Sequence, residues 1–372
     1  MRVLFLEGYH GGSHRAFAEG WRERSRHDIE ILSLPARKWK WRMQTGAWVF
    51  AQEIENRFNK GAPNPDVIVA SDMIDLAQFA GLTRSTLAGV PLVLYFHENQ
   101  YSYPPQVEGR SDFAWGVINS ASALVADRVL FNSEFHLRDF FKAWRKGNRK
   151  MPDRQIEAAR IDVIEAASKV VPVGVDFEKF DRVRPEKPSV NQPPLIVWNH
   201  RWEHDKNPED FFEALGVVKN RGLDFRLAVC GENFDQRPEI FEVARERFAD
   251  RIEVFGFLES PEDYARLLWN SDIVVSTAVQ EFLGLSVLEA MWCGCYPLLP
   301  RRLSYPELLP DALHKKHLYD STENLAWRLS TILRQPEEIL PFPERQAFLE
   351  PYAWPCIARR LDAIMDETRS GV

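Results

Sequence analysis

Along this chain, short unbroken apolar runs alternate with longer stretches in which apolar residues recur every three or four positions. The short runs lack the in-out alternation of a strand with one wet face, so they read as parallel strands buried on both sides. In the first half they lie at 2–6, 29–34, 67–70, 91–96, 125–131 and 170–173; in the second at 195–199, 225–230, 252–256, 273–276 and 296–299. Helical spacing follows several of them: 15–24, a stretch beyond 133 that runs into basic residues, one from Glu209, Leu285–Trp292 with Gly294 as its stop, and 354–367. Strands alternating with helices in both halves predict an α/β protein of two doubly wound, Rossmann-like domains facing a central cleft. Pro185, Pro188, Pro193 and Pro194 mark a linker. The expected boundaries are 1–184 for the first domain, 185–194 for the linker, 195–350 for the second domain and 351–372 for a C-terminal helix crossing back over the body.

Polar groups gather where open α/β sheets bind ligands, at the carboxyl ends of strands. Gly11-Gly12-Ser13-His14 leads from the first strand into a helix, which lets a phosphate or sugar approach backbone N–H groups. The glycines do not match GxGxxG, and a tight turn without a ligand would look the same. The strand at 91–96 ends in His97-Glu98-Asn99-Gln100, and that at 125–131 in Asn132-Ser133. In the second half Arg201 and Lys206 put two cations beside a helix start, a setting for a diphosphate, and Gly231 follows 225–230. Glu281 and Glu289 are separated by seven residues, among them Gly284, Leu285 and Ser286 at a helix start whose N–H groups suit an anion. Each glutamate can accept hydrogen bonds from one sugar, or merely cap and solvate the helix. Convergence of all these groups on strand ends favours the first.

Composition narrows the class. At 372 residues, 45% hydrophobic and 27% charged, the chain suits two soluble globular domains. No apolar run approaches the roughly 18 residues of a membrane span, and Met1-Arg2 leads straight into a strand rather than a signal peptide. Cys230, Cys293, Cys295 and Cys356 fit neither a disulfide framework nor zinc spacing, so they are expected to be reduced, in a cytoplasmic protein. A net charge of −7 excludes a surface coated in positive potential but not a local basic patch. Two such patches stand out. Arg37, Lys38, Trp39, Lys40, Trp41 and Arg42 alternate basic and aromatic residues, which can hold phosphates and stack bases or form a solvated strand or loop with buried tryptophans. Lys142, Arg145, Lys146, Arg149, Lys150 and Arg154 form the strongest basic cluster, with Asp153 the sole acid among them, or a solvated helix end. No DxD, EF-hand or histidine-cluster signature is present, so neither a metal nor a cofactor is expected.

The Glu281 and Glu289 spacing, Arg201 with Lys206, the glycine-rich first turn and Gly174-Val175-Asp176 together resemble family 4 retaining glycosyltransferases of the GT-B fold. More narrowly, GGSHR (11–15), LPARKWKWR (34–42), YFHENQYSYP (95–104), HRWEHDKNPEDFF (200–212) and the segment from Glu281 to Pro300 continuing into YPELLP (305–310) resemble the tRNA-queuosine α-mannosyltransferase group. The resemblance spans nearly the whole chain. It implies GDP-mannose as donor and the queuosine base at the wobble position of a tRNA as acceptor. It implies that Arg201 and Lys206 bind the donor diphosphate, that Glu281 holds hydroxyls of the hexose and that Glu289 holds the ribose. Gly12 would approach the phosphate or the acceptor, and His97 the hexose C6 hydroxyl or the reacting centre. The catalytic candidates are therefore His97, Arg201, Lys206 and Glu281, and the donor candidates add Gly12, Gly231, Gly284, Leu285, Ser286 and Glu289. Candidates for the acceptor side come from the residue pattern alone: Gly11, Ser13, His14, Lys38, Trp39, Lys40, Trp41, Arg42, Asn99, Asn132, Arg145, Lys146, Arg149 and Lys150.

These residues predict a metal-independent transfer with retention, through an oxocarbenium-like transition state. No carboxylate is evidently placed as a nucleophile, so front-face attack is expected, with the leaving phosphate taking the acceptor proton. Arg201 and Lys206 would act as the diphosphate gains charge, and their loss would lower turnover far more than stability. The protein is expected to be a monomer with no membrane partner, closing over its donor. Its affinity for tRNA should fall steeply with salt. Two alternatives remain open: a family 4 transferase using another nucleotide sugar on a glycan, lipid or small metabolite, and a non-catalytic nucleotide-sugar or RNA-binding module. Intact Glu281, Glu289, Arg201 and Lys206 speak against the second.

Overall fold

The computed structural model describes residues 1–102, 113–151, 158–186, 193–232, 238–339 and 345–371. Tyr103, Pro104, Asp153, Arg154, Pro188 and most of the expected linker lie outside them. The chain begins β1 (Arg2–His10), α1 (Gly12–Arg24), β2 (Asp28–Pro35), α2 (Trp39–Asn59), β3 (Val67–Ser71), α3 (Leu76–Leu82), β4 (Leu92–Phe96), α4 (Phe113–Val125), β5 (Arg128–Phe131), α5 (Glu134–Asn148), α6 (Ala158–Ala167) and β6 (Lys169–Val170). It continues α7 (Phe177–Asp181), β7 (Leu195–Trp198), α8 (Pro208–Asn220), β8 (Arg226–Cys230), α9 (Ile240–Arg247), β9 (Ile252–Gly256), α10 (Pro261–Asn270), β10 (Ile273–Val275), α11 (Leu285–Trp292), β11 (Tyr296–Pro300), α12 (Asp311–His317), β12 (Leu318–Tyr319), α13 (Thr322–Arg334), α14 (Arg345–Leu349) and α15 (Trp354–Ser370).

Two compact units result, Met1–Gly174 with Trp354–Val372, and Val175–Ala353. Each holds a six-stranded sheet, in the order β2-β1-β3-β4-β5-β6 and β12-β11-β10-β7-β8-β9. Every described strand pair is parallel, for example Phe5 opposite Val69 and Val197 opposite Val274. Strand order reverses between β1 and β3 in the first sheet and between β7 and β10 in the second. The loops leaving those strands therefore diverge to opposite faces and open a crevice, the place where doubly wound sheets bind ligands. The central strands are buried, as the uniformly apolar runs predict: Val67–Ser71 has no exposed residue, whereas exposed positions recur along the edge strand β2.

Several boundaries differ from expectation for identifiable reasons. β1 runs on to His10 because the charge of Glu7 is met inside the fold by His14 and Ser71. The run at 125–131 is not one strand: α4 ends at Val125, Asp127 accepts a hydrogen bond from Leu92 N at 2.7 Å, and β5 starts at Arg128. Trp39–Arg42 is the first turn of a helix, with Arg37 and Lys38 in the connection before it. Lys38 is the left-handed N-cap of α2, whose residues Met43, Gly46, Ala47, Phe50 and Ile54 are buried at helical spacing. The alternating tryptophans imitate a strand just where the helix begins.

The unit boundary falls at 174/175 rather than 184/185. α7 packs inside the second unit, where Phe177 stacks on Trp292 at 4.0 Å and Trp269 Nε1 donates to Phe180 O at 2.8 Å. α15 belongs to the first unit. Asp362, buried, accepts from Trp21 Nε1 at 2.9 Å and from Ser25 Oγ at 2.6 Å. The Trp354 ring lies so close that a β-carbon on Gly20 or Gly174 would sit 2.3 Å from it.

Candidate active site

Polar groups collect at the switch point of each sheet. In the second unit the loop after β7 carries His200 to Lys206, and the loop after β10 carries Thr277 to Gly284. Gly231, at the end of β8, allows this arrangement: a β-carbon there would fall 1.8 Å from His200 O. Trp202 N donates to Glu232 O at 2.9 Å, pinning the two loops together.

Lys206, buried, lies at the centre. Its Nζ donates to Gln280 O at 2.9 Å and pairs with Glu281 Oε2 at 3.3 Å and Asp205 Oδ2 at 3.1 Å. Burial works against the ammonium, but the charges of Glu281 and Asp205 outweigh it and raise its pKa. Glu281 is likewise opposed by burial, yet Lys206 brings its carboxyl below the ordinary value. Glu281 Oε1 also accepts from Phe282 N at 3.1 Å and Leu283 N at 3.3 Å, which fixes the carboxylate ahead of α11. Arg201 is about half exposed (46% for its side chain) and pairs with Glu203 at 3.0 Å.

Gly284 is the left-handed N-cap of α11, with φ of 93°. The first bonds inside this helix are those of Val287 N and Leu288 N to Gly284 O, so the N–H groups of Leu285 and Ser286 remain for an anion. One turn on, Glu289 Oε2 accepts from Tyr264 Oη at 2.8 Å, and Tyr264 Oη accepts from Asn199 Nδ2 at 3.0 Å. Burial pushes the Glu289 carboxyl up to about 7 despite that hydrogen bond. The two glutamates, alike in sequence, therefore differ in state. Glu281 is a fixed anion and Glu289 a carboxyl poised near neutrality.

In the first unit Glu7 of β1, His14 of α1 and His97 after β4 come together, all buried. His14 Nδ1 lies 3.2 Å from both Glu7 oxygens, while Ser71 Oγ and Tyr9 N donate to Glu7 Oε1 at 3.0 and 2.7 Å. The His14 and His97 rings face each other at 4.0 Å. Burial alone would lower the pKa of His14, but the Glu7 charge and hydrogen bond carry it up to about 9. Burial, and then the neighbouring His14 charge, hold His97 well below its ordinary value, so His97 is neutral. Asp72 Oδ1 accepts from His97 N at 2.8 Å and orients the loop, and burial raises the Asp72 carboxyl.

Several buried polar atoms have no hydrogen-bond partner among the described residues, among them His97 Nε2, Asp72 Oδ2, Asn99 Nδ2, Asn199 Oδ1 and His200 Nε2. Each sits at or just past the carboxyl end of a strand. Buried polar atoms are rarely left unsatisfied, so the orphans point to ligand positions. Glu7, His14 and His97 also have ligand atoms within 4.8 Å of one another and are able to hold a metal ion, although Glu7 already spends both oxygens on His14.

The other sequence candidates are placed as follows. Gly12 opens α1 with a φ of 51° and open space at its β-carbon position, Ser13 is exposed and Gly11 is the N-cap. Asn99 and Asn132 are buried and hold loops: Asn99 Oδ1 accepts from Tyr101 N at 3.1 Å, and Asn132 Nδ2 donates to His97 O at 2.8 Å. Arg145 is neutralised by Asp162 and Glu165, whereas Lys146, Arg149 and Lys150 are exposed. Lys38, Lys40 and Trp41 are exposed, Arg42 is half-buried and Trp39 packs on Trp115 at 5.6 Å between ring centroids. Nothing in the sequence alone singles out Glu7, Asp72, Asp205 or Tyr264. Glu7 reads there as the polar end of a strand.

The fold is that of a GT-B glycosyltransferase. Two solved structures share it over nearly their full lengths: HepE of Anabaena in complex with UDP (TM-score 0.70, 16% identity, 99% of this chain and 100% of that one) and sucrose-phosphate synthase of Thermosynechococcus elongatus (TM-score 0.74, 14% identity, 100% of both). Residues 2–175 match the family model for the N-terminal part of tRNA-queuosine alpha-mannosyltransferase, and residues 179–348 that for glycosyl transferases group 1. The tRNA-queuosine alpha-mannosyltransferase of Drosophila melanogaster is 38% identical over 343 residues, 90% of this chain and 87% of that one. A GDP-mannose-dependent alpha-(1-6)-phosphatidylinositol dimannoside mannosyltransferase of Mycobacterium tuberculosis is 26% identical over 73% of this chain and 66% of that one. The chain belongs to the tRNA-queuosine alpha-mannosyltransferase family of glycosyltransferases.

Proposed function

We propose that this chain transfers mannose from GDP-mannose to the queuosine nucleoside at the wobble position of a tRNA, with retention and without a metal, as a cytoplasmic monomer. The observation that carries this reading is the 38% identity to the Drosophila enzyme over 90% of the chain. The mycobacterial relative, GDP-mannose-dependent by name, supports the same donor.

The geometry supports a role for each group. Lys206 and Arg201, with the N–H groups of Leu285 and Ser286, neutralise the donor diphosphate. The preformed Lys206–Glu281 pair costs no reorganisation when charge develops on the leaving group. Glu281, fixed by two backbone N–H groups and Lys206, accepts hexose hydroxyls, and Glu289 accepts the ribose hydroxyls. His97 stays neutral and offers Nε2 to a hydroxyl of the transferred sugar. Attack from the leaving-group face lets the departing phosphate oxygen take the acceptor proton, so the carboxylates need form no covalent bond.

The test incubates the protein with radiolabelled GDP-mannose and two tRNA samples, one containing queuosine and one from cells that cannot make it. Label in the queuosine-containing sample alone supports donor and acceptor together. Hydrolysis of the donor without label in either tRNA discards the acceptor and keeps the transferase. A chelator should leave the rate unchanged. Loss of activity, restored by a divalent cation, would instead show that a metal takes part, with Glu7, His14 and His97 as its candidate ligands among the described residues. The second reading, another nucleotide sugar, is favoured by the UDP bound in the Anabaena neighbour. Faster transfer from UDP-glucose would establish it.

A further inference from the structure

The N-terminal half of α2 carries a surface that the strand-end chemistry does not use. Trp41 and Trp48 are 62% and 57% exposed, and Val49 beside them is 49% exposed. The two tryptophans are seven residues apart on one helix. They therefore project from the same face, with roughly 10 Å between them along the axis. Large aromatic side chains so exposed among the described residues mark a binding surface more often than a core. Between Trp48 and the edge strand β2 lies a mainly apolar groove of about 510 Å³, lined by Leu32, Leu34 and Val49 among others, with Gln52, Asn56 and Glu53 as polar members; Glu53 is paired with Arg57 at 2.9 Å.

The charge around this face selects its occupant. Arg37, Lys38, Lys40 and Arg42 lie at the start of the helix, and the sequence holds no Asp or Glu from Ala36 to Gln52. In a chain of net charge −7 that is a local reversal of sign. Lys40 Nζ stands over the Trp39 ring at 5.5 Å, and Trp39 is anchored on Trp115, so the platform has a rigid base. Lys38 holds a left-handed backbone with φ of 52°, uncommon for a residue with a side chain and tolerated chiefly where function uses it. Cations tracking a phosphate backbone beside aromatic faces that stack bases are the two components of single-stranded nucleic-acid recognition. Specific RNA readers use them on loops with splayed-out bases.

From these observations we infer that the α2 face formed by Trp41, Trp48 and the cations at 37–42 is an RNA-docking surface, stacking unpaired bases of a tRNA loop on the two tryptophans. The groove beside Trp48 takes the edge of one splayed base, with Gln52 and Asn56 supplying polar atoms. This inference rests on the tRNA-acceptor reading and adds to it the element that holds the acceptor. A membrane-lying helix would share the exposed tryptophans and the basic residues. The family to which the chain belongs favours RNA.

The test measures binding of queuosine-containing tRNA to the full chain and to Trp41→Ala, Trp48→Ala and the pair. Trp327→Ala, an equally exposed tryptophan on α13, is the control. Stacking losses predict roughly 10-fold weaker binding for each of the first two, and more for the pair, against no change for the control. Thermal midpoints should stay together, since neither side chain is buried. Equal binding by all four proteins overturns the docking surface while leaving the acceptor reading intact. If the unaltered chain neither binds nor labels this tRNA, the acceptor reading and the surface fall together. Vesicles of phosphatidylglycerol and phosphatidylcholine that bind the unaltered chain and not the paired variant, with tRNA binding equal, overturn RNA as the occupant.

Discussion

At the scale of single residues the site holds two glutamates in different states, and the difference is measurable. The carboxyl of Glu289 keeps its proton to about pH 7 in the folded chain, against an ordinary value of 4.5. Between those values the native state binds more protons than the unfolded chain. The stability this contributes is full below the ordinary value and is lost as pH rises through about 7. Glu289→Gln keeps an acceptor for Tyr264 Oη without the charge. A shift of this size in a partly accessible side chain corresponds to about 1–2 kcal/mol. The variant should thus exceed the parent by that amount at pH 8 in urea melts and match it near pH 4, while binding donor more weakly. A constant difference at all pH values would contradict the assignment. Lys206 and Arg201 should separate as well. Lys206 is buried against two carboxylates, so Lys206→Met leaves charge without its counter-charge and should cost about 3–5 kcal/mol together with turnover. For this residue the structure overrides the expectation that stability would be spared. Arg201, half exposed and paired with Glu203, should lose turnover on conversion to Ala with a stability change of about 1 kcal/mol or less. Equal melting curves for both variants would contradict the burial argument.

At the scale of elements, close backbone approach positions the site. Gly231→Ala would drive a β-carbon into His200 O, backbone that cannot swing aside, so the loop bearing Arg201 and Lys206 must move. The expected result is a folded protein with donor affinity reduced at least about 10-fold, since misplacement of positioning groups by an ångström is that costly. Unchanged affinity would mean that the two loops are not coupled. The same logic shows how far the sequence could be read. Uniformly apolar strands, the glycine stops and the helix Leu285–Trp292 were legible because burial on both faces and helix punctuation leave local marks. Arg201, Lys206, Glu281 and Glu289 were legible as a constellation because each follows a strand. Glu7 and Asp72 were not. Each is a lone acid at the end of an apolar run, and only the β1-β3 switch point makes it a partner of His14 and His97. The start of α2 was illegible for a different reason: alternating tryptophans carry a strand period, and only the buried residues from Met43 onward reveal the helix. Tyr264 leaves no mark at all, since its hydroxyl reaches Glu289 from another helix.

At the scale of the whole molecule the net charge of −7 sets a physical problem for a protein that handles tRNA. Two polyanions repel at long range, and beyond the Debye length of roughly 8 Å at physiological salt that repulsion is screened. Contact must therefore be carried by a patch of opposite sign, and the salt dependence of binding reports how large that patch is. Each neutralised phosphate contributes about 0.7 to 0.9 to the slope of log affinity against log salt. Arg37, Lys38, Lys40 and Arg42 acting together predict a slope near −3, from roughly four contacts at the single-strand value. A uniformly basic nucleic-acid binder gives a slope several times steeper. The measurement is tRNA affinity between low and physiological salt, with the Arg37→Glu, Lys38→Glu pair alongside. Reversal at two positions should flatten the slope by about 1.4 and weaken binding at every salt concentration. A slope near zero would remove the electrostatic patch and leave stacking alone to hold the acceptor. A slope near −5 would instead require the exposed cations Lys146, Arg149 and Lys150 at the end of α5 to share the contact, about seven phosphates at the single-strand value, enlarging the footprint well beyond α2.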